Sequence, residues 1–383
     1  MSSSRRIFAA AITGKIMGKK INVGILFGGK SAEHEVSLQS ARNVYDALDR
    51  TKYNPVLVGI NKSGQWLLGD DSRFLLNTDD PKKIRLDTSL DPYNDHIALT
   101  PESRGVLSGF SSGIRERSVD VVFPILHGPF GEDGTVQGLL KLAGIPFVGA
   151  GVLASAAGMD KDVMKRLFRD AKLPVCGFRA LKSCEKIPAF GEITAELGCP
   201  VFIKPANMGS SVGVSKVHNE DEYLAAVNEA FLFDTKILFE EYVAGRELEC
   251  SVLGNDEPVA SVVGEVKSTH EFYSYDAKYI DENGAVLEIP AKISESCAER
   301  VRELAIRAFR TLECEGLSRA DFFLKESGEI IINEINTMPG FTRISMYPKL
   351  WEASGVTYSA LVDRLIELAF ARFEKEKKLR TSK

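Results

Sequence analysis

The chain has 383 residues, 44% of them apolar and 26% charged, with a net charge of −5. That length holds two or three globular domains, and an acidic balance without a long basic run argues against a nucleic-acid partner. No apolar stretch reaches the ~18 residues of a membrane span, and the six cysteines and five histidines are dispersed without a Cys-x-x-Cys pair, which argues against zinc and for reduced thiols in the cytoplasm.

Residues 1–20 contain no acid. Their apolar run is short for a secretory signal; their Ser/Arg-rich, acid-poor composition weakly suggests a transit peptide, and they read first as a disordered extension ahead of an alternative start at Met17. A domain of residues 21–150 follows. Residues 21–27 form a buried-type strand, Gly28-Gly29 a turn, and the next helix carries Ala41, Val44, Tyr45 and Leu48 on one face. With a second strand at 55–60, this spacing predicts a parallel α/β sheet. Residues 61–118 read as an irregular insertion, with small strands at most. Strands are expected again at 119–126 and 144–149.

A second unit, 151–244, has a helix over 159–171 and strands at 201–204 and 237–242. A third, 245–383, has strands near 247–254 and 259–266, then a polar, aromatic segment at 270–283. An amphipathic helix follows, with Val301, Leu304, Ala305, Ala308, Phe309 and Leu312 as its stripe. Two strands, 321–324 and 330–335, meet at a Ser327-Gly328 turn. A last helix over 359–373 packs through Leu361, Leu365 and Leu368.

The hairpin carries the clearest chemistry. Symmetry about its turn sets Asp321 opposite Glu334, and Asn336 two residues on shares their face. Opposed carboxylates repel, so the pair points to a cation. An open, oxygen-only set suits Mg²⁺ shared with phosphates.

Lys204 ends an apolar strand and needs an anion or water. The loop behind it holds Gly209, Ser210, Ser211 and Gly213, groups that suit phosphate oxygens and fit an ordinary tight hairpin equally well. Lys161 reads by itself as a surface lysine. Glu240, Val243 and Glu247 could provide an apolar slot and a ribose carboxylate. The segment from His127 to Gly134 follows a buried strand, where parallel sheets bind ligands; it also reads as a turn into a helix capped by Asp133. Glu33 reads as a helix N-terminal acid. The joint occurrence of phosphate lysines, a glycine loop, a Mg²⁺-type hairpin and an anion-binding loop weighs against reading each as merely structural. Gly24, Gly28 and Gly29 lack the dinucleotide-binding spacing, which argues against a nicotinamide dehydrogenase.

The strings FGGKSAEHEVSLQSA, HGPFGEDGTVQGLL, MDKDVMKRLF, KPANMGSSVGVSKV, YDAKY, SRADFF and NEINTMPGFTRISMYP together resemble the D-alanine–D-alanine ligase family of ATP-grasp enzymes over residues 21–370. The resemblance implies a three-domain ATP-grasp α/β architecture with an N-terminal parallel α/β domain. Its reaction would be ATP-dependent ligation of two D-alanines through an acyl phosphate, for peptidoglycan synthesis.

By that resemblance, Lys161, Lys204 and Lys278 contact ATP phosphates, with Ser211 in the phosphate loop. Glu240 and Val243 meet the adenine edge, Glu247 the ribose, and Phe323 belongs to the nucleotide site. Asp321, Glu334 and Asn336 hold two Mg²⁺ or Mn²⁺ ions. Glu33 takes the ammonium of the first D-alanine, with His127 near its carboxylate. Arg319 and the Gly340 N–H stabilise the oxyanion, and Ser345 holds the carboxylate of the second D-alanine. Ser210 and Tyr279 join Glu33 to latch a lid over 268–284. Tyr279 favours D-alanine over D-lactate, since relatives making D-alanyl-D-lactate carry Phe or His there. A homodimer is expected. Residues 129, 130 and 320 depart from the common family strings, none of them at a charged position. A ligase using another acceptor, or a nucleotide-binding regulator without catalysis, would share most of these motifs.

Overall fold

The computed structural model describes residues 19–68, 86, 95–109, 117–268 and 285–380. The expected extension lies almost wholly outside them, as does nearly all of the expected lid, with Lys278 and Tyr279. Among the described residues, no helix is long and apolar enough to cross a membrane.

Ile21–Gly28 pairs in parallel with Tyr53–Ile60 and Val121–Pro124. The helix His34–Ala47 makes the crossover and buries Val36, Leu38, Ala41 and Val44. The sheet is not parallel throughout. The segment read as an irregular insertion with small strands adds Trp66–Leu68, Asp95–Leu99, Val106–Gly109 and Arg117–Ser118 as antiparallel strands, giving seven among the described residues. Residues 144–149 do not form the expected strand; a single bridge joins Phe147 to Val122. Gly28 ends the first strand at φ +92, where a Cβ would lie 2.2 Å from the Ile60 oxygen. Only glycine fits that close approach, which turns the chain toward Glu33.

A four-stranded antiparallel sheet comes next, in the order Ser215–Val217, Val201–Pro205, Lys236–Glu241, Phe178–Lys182. The helix expected over 159–171 is Lys161–Asp170, and a further helix, Val152–Met159, precedes it. Asp160 separates them: its extended backbone breaks the first, and its carboxylate caps the second by accepting from Val163 N at 3.0 Å.

Among the described residues the third sheet has five antiparallel strands, in the order Ala285–Glu288, Val259–Ser268, Arg246–Gly254, Gly316–Leu324, Ile330–Asn336. The helix Glu295–Thr311 covers one face with its expected stripe, against Leu248, Cys250, Val252 and Phe322. Full burial stabilises by roughly 1.5–3 kcal/mol per large apolar side chain. The opposite face carries Glu247, Glu249, Arg319, Asp321 and Phe323.

The helix Tyr358–Glu376 returns to the first sheet, with Leu361, Leu365 and Leu368 in one core with Val23 and Phe123. Arg372 on it is buried, donates to the carbonyls of Gly149 and Phe147, and stacks over the Phe147 ring. That contact fastens the first sheet to the last helix.

Candidate active site

The hairpin has the expected pairing by an unexpected route. Its turn is a three-residue loop: Gly328 N donates to Lys325 O at 2.9 Å and Lys325 N to Glu329 O at 2.9 Å, with Gly328 at φ +84. That loop sets a register one residue off symmetry. A bulge at Asn333 restores it, so Asp321 faces Glu334 and Arg319 faces Asn336.

The bulge has a second effect. The carbonyl of Asn333 accepts from Lys165 Nζ at 3.1 Å. Lys165 is fully buried and also lies 3.2 Å from Glu240 Oε2. Lys204 donates to Glu240 Oε1 at 2.6 Å. Burial opposes the charges of Glu240 and Lys165, but the ion pairs outweigh it: Glu240 is held below the usual carboxylate range and Lys165 above the usual lysine value. Lys165 was not singled out in the sequence, although it lies four residues from Lys161 on the same helix face.

Lys161 is buried, donates to the Met208 carbonyl at 2.6 Å and sits 3.6 Å from Glu334 Oε2. It therefore bridges the hairpin and the 207–213 loop, and is no surface lysine. In that loop Ser210 and Ser211 take φ of +52 and +60. Left-handed backbone at non-glycine residues costs roughly 1–3 kcal/mol each. The strain aims the Ser210 hydroxyl, which donates to Glu33 Oε1.

Glu33 begins its helix as expected, but its side chain makes no capping bond. It is held instead between two glycines: a Cβ at Gly128 would lie 2.9 Å from Glu33 Oε2, and one at Gly209 3.1 Å from it. Glu132 accepts from Gly128 N at 2.9 Å. Burial, then the neighbouring Glu33, push its carboxyl up to about 8. Asp133 does not cap the following helix, which starts from Gly134, whose N–H donates to Gln137 at 3.1 Å; Asp133 accepts from Thr135 N at 3.0 Å.

His127 is buried, which lowers its pKa and keeps the ring neutral. Its Nδ1 lies 3.1 Å from the Met338 carbonyl, so that nitrogen carries the proton. Nε2 faces Ser40 Oγ at 3.3 Å, and Ser40 Oγ accepts from Phe341 N at 3.2 Å. The 338–341 turn is thus tied to the first sheet. Beyond it, Ser345 Oγ accepts from Thr342 N at 3.0 Å, and a Cβ at Gly340 would lie 2.8 Å from that oxygen.

Arg319 makes two 2.7 Å hydrogen bonds to Asp321, and its Nε lies 2.8 Å from Glu249. Burial opposes its charge; Asp321 and Glu249 hold it protonated. Asn336 donates to Asp321 at 3.0 Å. Val243, Cys176 and Ile331 form a small apolar cluster with Phe323 against it. Glu247 stands across from Phe323 in register.

No group of three His, Cys, Asp or Glu side chains suited to a metal occurs among the described residues. Asp321, Glu334 and Asn336 are two carboxylates and an amide. Such a set fits a hard cation that takes its remaining ligands from phosphate and water.

The family model "D-ala D-ala ligase N-terminus" matches residues 22–150, and "D-ala D-ala ligase C-terminus" matches 167–367. The chain belongs to the D-alanine–D-alanine ligase family. It is 53% identical over 367 residues to the D-alanine–D-alanine ligase of Oceanobacillus iheyensis, covering 95% of this chain and 99% of that one. The solved structure of the Coxiella burnetii D-alanine–D-alanine ligase matches with a TM-score of 0.81 at 36% identity, covering 94% of this chain and 97% of that one. VanG D-Ala:D-Ser ligase from Enterococcus faecalis matches with a TM-score of 0.80 at 37% identity, covering 92% and 100%. The fold is accordingly that of the ATP-grasp ligases, with mixed rather than purely parallel strands in its first sheet.

Proposed function

We propose that the protein joins two D-alanines into D-alanyl-D-alanine with ATP as phosphoryl donor. One connected set of contacts carries this reading. Lys161 links the acidic hairpin to the serine loop, and that loop reaches Glu33 through Ser210. On this reading the phosphate, cation and amine sites share one space, which these contacts support.

In this reading the adenine lies against Val243, Cys176, Ile331 and Phe323, and Glu247 meets the ribose. The Glu240 carboxylate is committed to Lys165 and Lys204, so its part is to orient Lys204, and the adenine edge meets backbone groups near Val243. Lys161 and Lys204 neutralise phosphate charge, with Ser211 alongside. Asp321, Glu334 and Asn336 would hold two Mg²⁺ or Mn²⁺ ions, which supply charge neutralisation at the transferring phosphoryl group.

Glu33 takes the ammonium of the first D-alanine, and neutral His127 lies near its carboxylate. That carboxylate attacks the γ-phosphorus, giving an acyl phosphate and ADP. The amine of the second D-alanine, its carboxylate at Ser345, then attacks the acyl carbon, and phosphate leaves. Arg319 and the Gly340 N–H face the oxyanion, where fixed donors act most strongly. Acyl phosphates hydrolyse, so water must be excluded; Lys278 and Tyr279 belong to the segment proposed to close the site. The reading extends to a homodimer working in the cytoplasm.

Glu334→Ala tests the cation assignment. The variant is expected to fold and to lose D-alanine-dependent ADP formation. Retained turnover would overturn the assignment.

A further inference from the structure

Side chains alternate along Arg246–Gly254, so Glu249 shares a face with Glu247 and lies directly across from Asp321. Two opposed carboxylates would repel. Arg319, two residues before Asp321 on the same strand face and diagonal to Glu249, lies against both: Nε is 2.8 Å from Glu249 Oε2 and 2.7 Å from Asp321 Oδ1, and Nη2 is 2.7 Å from Asp321 Oδ2. All three side chains are under one-fifth exposed.

Asp321 and Arg319 have conflicting duties in the proposed reaction. A divalent cation on Asp321 competes with the guanidinium for the same oxygens and repels it. A guanidinium with no other partner would either block the cation or drift from the oxyanion. We infer that Glu249 is a positioning residue that keeps Arg319 in place while Asp321 serves a divalent cation. Its carboxylate is the counter-charge that lets one aspartate serve both groups. The inference rests on the cation and oxyanion assignments made above.

The test uses full-length protein with saturating ADP and Mn²⁺ as probe, free Mn²⁺ being read by electron paramagnetic resonance. Glu249→Gln should weaken Mn²⁺ binding roughly tenfold, because Arg319 then closes on Asp321 alone. It should lower kcat with little change in the KM for D-alanine, since the oxyanion forms only in the transition state. Glu249→Asp should restore part of both. In an Arg319→Gln background the effect of Glu249→Gln on Mn²⁺ should shrink severalfold. Wild-type Mn²⁺ affinity in Glu249→Gln overturns the inference. So does an equal loss with and without Arg319, which would mean that Glu249 acts on the cation directly. Glu334→Ala is the control: if it binds Mn²⁺ like wild type, the cation assignment itself fails, separately from any effect at Glu249.

Discussion

Ser210 donates its hydroxyl to the carboxylate of Glu33 across 177 residues of sequence. The donor sits in a strained loop of the second sheet and the acceptor at the first helix of the first. The bond therefore joins the region proposed for phosphate to the one proposed for the amine.

Ser210→Ala removes that bond and leaves the buried Glu33 without it. A hydrogen bond to a charged group contributes about 1.5–3 kcal/mol, so kcat/KM for D-alanine should fall roughly tenfold to a hundredfold. Steady-state kinetics at fixed ATP check this. An unchanged kcat/KM would remove the serine loop from the amine site.

Glu240 separates two lysines of different duty. Glu240→Ala leaves Lys165 buried without its carboxylate and should cost about 3–5 kcal/mol in chemical denaturation. Lys165→Met should cost less, because Glu240 keeps its bond to Lys204. Lys204→Met should instead raise the KM for ATP by roughly tenfold or more. Equal effects of the two lysine changes on that KM would contradict the division.

Glu132 gives a pH dependence of definite sign. Its folded value, pushed up to about 8 by burial and Glu33, lies above the ordinary 4.5. The fold favours the protonated form. Its contribution to stability is therefore complete below pH 4.5 and lost as pH rises through 8. Glu132→Gln still accepts from Gly128 but cannot ionise, so it should gain stability relative to wild type between pH 5 and pH 9. Thermal melts of both proteins across that range are the check; parallel curves would refute it.

Much of this site is legible in the sequence, for reasons of periodicity. Strand alternation places Asp321, Glu334 and Asn336 on one face without any structure. Alternation over Glu247 and Glu249 would have exposed Glu249, and the four-residue spacing of Lys161 and Lys165 would have exposed Lys165. The Asn333 bulge was not legible, because it compensates a turn whose length the residues leave open. Neither was the mixed first sheet: its added strands have two to five residues, too few for a period to register. The tethers of Ser210 to Glu33 and His127 to Met338 depend on how distant segments pack, and only the family resemblance pointed toward the first.

The most direct test of the central claim measures ADP release and dipeptide formation together, with D-alanine alone and then with L-alanine, D-serine or D-lactate added. The account predicts that D-alanine alone supports turnover, with one D-alanyl-D-alanine formed per ADP. No turnover with D-alanine alone, or turnover only when D-serine or D-lactate is supplied, would contradict it.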